Sequence, residues 1–163
     1  MSEIMDYMRL RVDQLRFNKQ GAAFYGYLAG IVDGEGSFAV TVNYKERFLN
    51  FTPKLFIGNT DPKLFTKLKE CGIESIIDIV KPKEDSKKKP YYRIWLYSKD
   101  LRIVLPKIIN YLVIKKERAI LILDAINLLE EKPTDKRSDR LMQIRKEVMK
   151  LNKATVPPPD DWK

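Results

Sequence analysis

The sequence predicts an α+β domain in which an antiparallel β-sheet carries its helices on one face. Two pairs of segments rich in β-branched and aromatic residues, each pair joined by a polar loop, are typical of hairpins. Helical patterns precede and follow each pair, and 44% of the 163 residues are apolar, which is enough to fill a core. Helices gathered on one side leave the other sheet face open.

The chain begins with an amphipathic N-terminal arm at residues 1–20, followed by a nearly all-apolar helix at residues 22–32. Ala22, Gly26 and Gly30 lie on one face of that helix at a spacing of four. Glycine costs about 1 kcal/mol in a helix interior, so two of them on one stripe indicate close approach to another helix.

We expect this first helix to stop near Asp33, with Gly34 and Gly36 supplying the dihedral angles of a glycine cap. Asp61 followed by Pro62 is an N-cap with proline at the first helical position. In chain order the patterns predict strands at 37–43 and 48–57, a helix at 62–68, strands at 75–81 and 91–98, and helices at 100–110, 115–131 and 138–151. A single domain would span residues 21–152, before a proline-rich tail at 153–163.

The last strand has two possible registers. Either Tyr91, Arg93, Trp95 and Tyr97 face the helices, or Tyr92, Ile94, Leu96 and Ser98 do. The second set makes the better core, which predicts that the aromatic and basic set faces outward.

Composition restricts the chemistry. The chain has no His and one Cys, so it cannot form an intrachain disulfide or a zinc site of Cys and His, and no histidine base is available. The charge is 31 minus 22, or +9, which favours a polyanionic partner; nucleic acid, a membrane surface and a merely soluble basic protein all stay open. No signal peptide or membrane span is recognisable, and we expect an intracellular, soluble protein of the cytoplasm, nucleoid or an organelle matrix.

Two carboxylates, Asp33 and Glu35, follow the first helix, where the macrodipole is already negative. A cation bound at this helix end would stabilise the two carboxylates. Glu35 with the Gly34 carbonyl would supply oxygen ligands for Mg²⁺ or Ca²⁺. The alternative is a glycine-capped helix end with solvated acids.

The segment LAGIVDGEG at residues 28–36 resembles the motif that gives the LAGLIDADG homing endonucleases their name. KLFIGNTDPKLF and YLVIKKERA resemble two further segments of that family, so that the resemblance covers residues 22–129. It implies the αββαββα fold, with the sheet as a saddle in the DNA major groove. It also implies site-specific double-strand cleavage with Mg²⁺, for which Ca²⁺ or Mn²⁺ would substitute in binding.

The resemblance implies roles for individual residues. Glu35 and the Gly34 carbonyl would hold the metal, Lys115 would be the active-site lysine, and Asn59 and Lys63 would order water. The motif helices of two protomers would pack together through a surface that comprises Ala22, Gly26, Ala29, Gly30 and Asp33. The DNA-binding candidates are Thr41, Asn43, Lys45, Arg47, Asn50, Thr52, Lys54, Lys81, Lys83, Lys87, Lys88, Arg93, Trp95 and Tyr97.

The motif occurs once, which predicts a homodimer acting on a long, nearly palindromic DNA site. The alternatives are a non-cleaving nucleic-acid-binding protein of the same fold, such as an intron RNA splicing maturase or a regulator, and a purely structural basic protein.

Overall fold

The computed structural model describes residues 12–45, 48–74, 77–84 and 87–154. The elements in chain order are α1 (Gln14–Asn18), α2 (Ala22–Glu35), β1 (Gly36–Lys45), β2 (Phe48–Asn59), α3 (Pro62–Glu70), β3 (Ile77–Val80), β4 (Tyr91–Tyr97), α4 (Ser98–Ile108), α5 (Lys116–Leu128) and α6 (Asp135–Lys153). Within the described part of the chain, no helix is both long and apolar enough to cross a membrane.

The four strands form one antiparallel sheet in the order β1-β2-β4-β3. Helices α2, α4, α5 and α6 all contact β1 or β2, and α6 is fastened to β1 because Asn152 donates its side-chain amide to the Phe38 carbonyl at 2.9 Å. The predicted α+β fold with helices packed on the sheet is thereby confirmed.

Side chains alternate across the sheet as the period of two requires. The helix-facing residues are buried, among them Phe38, Val40, Leu55, Ile57, Ile94 and Leu96. The register predicted for the last strand is therefore correct, and the helices of the described residues leave the other face of the sheet uncovered. We call this the open face; its described side chains include Thr41, Asn43, Asn50, Thr52, Lys54, Phe56, Asp78, Arg93, Trp95 and Tyr97.

Packing of the domain extends upstream of residue 21, the boundary that the sequence predicts. Val12 and Phe17 are fully buried in the main core, and Val12 forms a bridge with Ile73. Next to this contact, Gly72 has φ +97°, and an added Cβ would come within 2.8 Å of the Phe17 nitrogen. Glycine is thus required at the end of α3, both for the left-handed backbone and for the close approach. The rest of the predicted arm, residues 1–11, lies outside the described residues, as do residues 155–163 of the predicted tail.

The predicted end of the first helix is wrong. Helix α2 continues through Glu35, and Gly36 leads straight into β1 with φ −81°, ψ 151°, so it is no left-handed cap. Its glycine has another cause: a Cβ on Gly36 would lie 2.6 Å from the Val32 carbonyl oxygen and 3.2 Å from Leu55 Cδ1. Glycine is therefore needed at position 36 because there is no space for a Cβ, and not because of its dihedral freedom.

Three other helix boundaries differ from the prediction, two of them because of a capping side chain. Helix α4 begins at Ser98, earlier than predicted, because the Asp100 carboxylate accepts the Tyr97 amide at 3.1 Å. Thr134 caps α6 by accepting the Arg137 amide, so that helix also begins early. Helix α5 is shorter than predicted, with Lys115 as its N-cap. The N-cap predicted at Asp61 is confirmed, since its carboxylate accepts the Lys63 amide at 2.9 Å.

Candidate active site and nucleic-acid interface

A cleft of about 380 Å³ lies where α2 ends, β2 ends and α3 begins. It is lined by Tyr27, Ile31, Glu35, Asn59, Asp61, Lys63 and Leu64. The β1–β2 ladder creates this juxtaposition, because it pairs Gly36, the residue after Glu35, with Ile57, two residues before Asn59. Three of the four predicted catalytic residues, Glu35, Asn59 and Lys63, therefore share one cleft.

The start of α3 is rigidly organised at the cleft wall. The Asn59 side-chain oxygen accepts the Asp61 amide at 2.9 Å, and the Asp61 carboxylate in turn accepts the Lys63 amide at the same distance. These bonds fix the turn between β2 and α3, so that Asn59 and Lys63 are presented from a defined backbone.

Lys115, the fourth predicted catalytic residue, lies at the end of α2. Its ammonium nitrogen donates to the carbonyl oxygens of Val32, at 3.0 Å, and Asp33, at 2.5 Å. In return, the Asp33 carboxylate accepts the backbone amides of Val113, at 2.8 Å, and Lys115, at 2.9 Å. This Asp33–Lys115 clamp joins the helix end to the segment before α5, and it already places one cation against the negative end of the helix dipole.

The surroundings of Lys115 lower the pKa of its ammonium group. Burial lowers the pKa of its ammonium group, because the charged form loses hydration, and the nearby Arg118 charge acts in the same direction. The carboxylates of Asp33 and Glu35 oppose this shift and raise the pKa. Lys115 is thus an ammonium group that both acids of the motif influence.

Glu35 is exposed, and within the described residues its carboxylate makes no hydrogen bond or ion pair. In that same part of the chain, no three His, Cys, Asp or Glu side chains lie close enough to share a metal ion. A single chain therefore offers one free carboxylate at this place and not a complete cage. Mg²⁺ is suited to such a site, since it keeps several waters and takes one or two carboxylates together with substrate phosphates.

The open face carries most of the predicted DNA-binding side chains. Thr41, Asn43, Asn50, Thr52, Lys54, Arg93, Trp95 and Tyr97 all lie on it. Lys81, Lys83, Lys87 and Lys88 are exposed in the connection between β3 and β4. Lys45 is the last residue of β1, which extends two residues beyond the predicted end of that strand at residue 43, and Arg47 lies outside the described residues.

Helix α2 leaves some of the small residues predicted for the dimer interface uncovered within one chain. Ala22 and Gly30 are exposed and Gly26 is half-buried, and no atom of the described chain lies within 4 Å of a Cβ built on Gly30. Two residues of the predicted interface differ. Ala29 is fully buried in the chain's own core, and both carboxylate oxygens of Asp33 are used within the chain.

Sequence reasoning missed three contributions. Asp61 was recognised as a helix cap, but nothing local indicated that it would also line the cleft. The bond between Asp33 and Val113 joins residues 80 positions apart, a separation that no local pattern reveals. Val113 and Ile114 are 85% and 69% exposed beside this contact, and their apolar character was the available signal.

The fold is similar to that of solved homing endonucleases. A structure of I-CvuI in complex with the I-CreI target matches with a TM-score of 0.65 and 17% identity, covering 83% of this chain and 86% of that chain. The archaeal intron-encoded homing endonuclease I-Vdi141I, complexed with DNA, matches with a TM-score of 0.63 and 20% identity over 85% of this chain and 89% of its own.

A longer protein of this class matches as well. The LAGLIDADG meganuclease I-CpaMI, bound to uncleaved DNA, gives a TM-score of 0.61 and 17% identity over 83% of this chain but 51% of its own. At these identities the likeness establishes the fold, which is that of the LAGLIDADG homing endonucleases. No family profile matches the sequence, and no curated protein does either.

Proposed function

We propose that this chain, which has the fold of LAGLIDADG homing endonucleases, is a site-specific double-strand DNA endonuclease that hydrolyses phosphodiester bonds with a divalent metal ion. The observation that carries the proposal is the cleft in which Glu35 meets Asn59 and Lys63, at the edge of an open sheet face lined with polar, basic and aromatic side chains.

Glu35 and the Gly34 carbonyl would hold the metal, Mg²⁺ in the working enzyme and Ca²⁺ or Mn²⁺ where only binding is required. The free carboxylate of Glu35 fits this role. When bound, the ion supplies a Lewis acid for the phosphate and lowers the pKa of a bound water. Lys115 already offsets part of the negative charge at the end of α2, so the helix dipole alone does not require a metal ion there.

The neighbouring side chains have separable tasks. Asn59 and Lys63 orient solvent and phosphate in the cleft, and the fixed turn between β2 and α3 keeps them in place. We assign Lys115 the task of stabilising the negative charge that develops on the phosphate, while the Asp33 carboxylate, which accepts the Lys115 amide, positions its backbone. No step requires a histidine.

The open face is proposed to lie in the DNA major groove. Asn43, Asn50, Lys54 and Arg93 are able to bond base edges, and the lysines between β3 and β4 suit phosphates. β1 is 10 residues long, a length of about 33 Å. This is about one turn of DNA, so two chains would cover roughly 20 base pairs.

We propose that the working form is a homodimer. Each chain has one Glu35, and cutting both strands requires two such sites. The exposed small residues of α2, and beside them the exposed Val113 and Ile114, form a surface that a second copy would cover. The 51% coverage of I-CpaMI is consistent with two units of this length in one longer chain.

The test is a cleavage assay in Mg²⁺ or Ca²⁺. Its DNA carries the proposed target, which is the host-gene sequence as it stands without the intron or intein that would interrupt it. The wild type is expected to cut in Mg²⁺ and to bind without cutting in Ca²⁺. Glu35→Gln should lower the cleavage rate at least about a hundredfold, because it removes the charged ligand, and leave DNA affinity largely unchanged.

Glu131→Gln is the matched control, since Glu131 is exposed after α5 and does not line the cleft; this variant should cut at the wild-type rate. Cleavage by Glu35→Gln at the wild-type rate would overturn the metal-ligand assignment. A wild type that binds nucleic acid and never cuts would favour the second candidate, a non-cleaving maturase or regulator.

A further inference from the structure

The open face contains one acidic residue among its described strand positions. The sequences of the four strands include Asp78 as their only carboxylate and Arg93 as their only arginine. The two residues stand directly opposite each other in the β3–β4 ladder, and Arg93 Nη2 forms an ion pair with Asp78 Oδ2. A carboxylate on a surface proposed to lie against polyanionic DNA weakens the attraction, so its presence requires a specific reason.

Arg93 is held from a second side by an aromatic ring. Its guanidinium carbon lies 5.8 Å from the centre of the Trp95 ring, two residues along the same strand. Trp95 is fixed in turn by Phe56, at 5.3 Å between ring centres, and by the Lys54 ammonium group, 4.8 Å above the ring. Side-chain freedom of Arg93 is therefore already reduced in the free protein.

The ion pair is unlike a stabilising core contact. The side chains of Arg93 and Asp78 are 31% and 45% exposed, and pairs at such exposure contribute little to stability. Orientation is the larger effect. A guanidinium fixed in direction loses less entropy when it binds, and its planar fork matches the O6 and N7 atoms of guanine.

We propose that Asp78 is a positioning residue which, with Trp95, fixes the Arg93 guanidinium to read one guanine in each half of the DNA site. This inference rests on the proposed function, because it assumes that the open face meets duplex DNA. It assigns Asp78 no contact with the phosphate that is cut. The competing explanation is that Asp78 merely neutralises Arg93.

The test is selection of binding sites from randomised duplexes in Ca²⁺ by the full chain, with affinity for a non-selected duplex measured in parallel. The wild type is expected to prefer guanine strongly at one position of each half-site. Asp78→Asn should weaken that preference roughly tenfold and leave the other positions unchanged, while affinity for the non-selected duplex stays equal or rises.

Two further variants separate positioning from charge. Arg93→Lys should lose the preference at the same position, and adding Asp78→Asn to it should cause no further loss, because Asp78 acts through Arg93. Asp139→Asn removes an exposed acid on α6 and should keep every preference.

Retention of the guanine preference by Asp78→Asn, or its loss at a different position from that lost by Arg93→Lys, would overturn the inference and leave the proposed function standing. A wild type that binds no duplex would overturn the proposed function and this inference with it.

Discussion

The side chains of Asp33 and Lys115 each bond to the backbone of the other residue. The resemblance placed Asp33 in an interface between two chains, yet its carboxylate organises the segment before α5 of its own chain. The ammonium group of Lys115 in turn donates hydrogen bonds to two carbonyl groups at the end of α2. The proposed active-site lysine and the first acid of the motif therefore form one unit, and a change in either affects the other.

This unit predicts how the pKa of Lys115 responds to substitution. Asp33→Asn should lower that pKa further, since Asp33 raises it now, and Arg118→Gln should raise it. The titration is measured by NMR of the lysine side-chain carbons. Asp124→Asn, an exposed acid on α5, serves as control and should leave the pKa where it is.

The same shift has a consequence for stability. Because the folded-state pKa lies below the ordinary lysine value, the unfolded chain binds more protons between those two values, and the contribution of Lys115 to stability increases as pH rises through that window. An unchanged or higher Lys115 pKa in Asp33→Asn would contradict the assigned electrostatics.

The candidate site was predictable where motif and chemistry coincide. Glu35, Asn59 and Lys63 were selected from separate segments by resemblance, and the structure brings all three to one cleft. The clamp partner of Asp33 and the pairing of Asp78 with Arg93 were not predictable, because contacts between distant residues depend on how elements dock.

At the scale of elements, the turn from α2 to β1 depends on one glycine and not on its neighbour. Gly36→Ala would place a Cβ 2.6 Å from the Val32 carbonyl oxygen. Because this oxygen belongs to the backbone, it cannot move away as a flexible side chain would. We expect a loss of about 1–3 kcal/mol in the free energy of unfolding, measured with urea at a fixed chain concentration.

Gly34→Ala is the matched control two residues away. Nothing lies within 4 Å of its added Cβ, and the position is helical, so stability should stay the same or increase by up to about 1 kcal/mol. Equal losses in the two variants would show that steric room at Gly36 is not the cause.

The elements themselves were largely predictable, and their ends were not. Alternation in the last strand correctly placed Ile94 and Leu96 in the core, because burial on one face leaves a strong period of two. The ends of helices depend on single side-chain hydrogen bonds, such as the one that the Asp100 carboxylate accepts from the Tyr97 amide. Helix propensities are too weak to predict such ends to the residue.

At the scale of the whole molecule, one chain exposes two kinds of surface that suit binding partners. The +9 charge and the open face suit a polyanion, while the exposed small residues of α2 and the exposed apolar pair Val113 and Ile114 suit another protein surface. A second copy of this chain would cover the apolar part and bring a second Glu35 to the site. Association, on this view, completes the enzyme.

That view makes Gly30 the position where association is tested most directly. Apart from its neighbours in the helix, a Cβ on Gly30 meets no atom of the described chain within 4 Å, and the position is exposed. Leucine is also a better helix former than glycine, so Gly30→Leu should keep its fold by circular dichroism. Between two helices in close contact a leucine does not fit, and the dimer should dissociate. Sedimentation is expected to give the mass of two chains for the wild type and of one chain for Gly30→Leu, which should also lose double-strand cleavage. Gln143→Leu, an exposed helical site on α6, controls for the added apolar surface and should stay dimeric and active. A wild type that sediments as one chain, or a Gly30→Leu variant that still sediments as two, would remove α2 from the interface and require another explanation for its glycines.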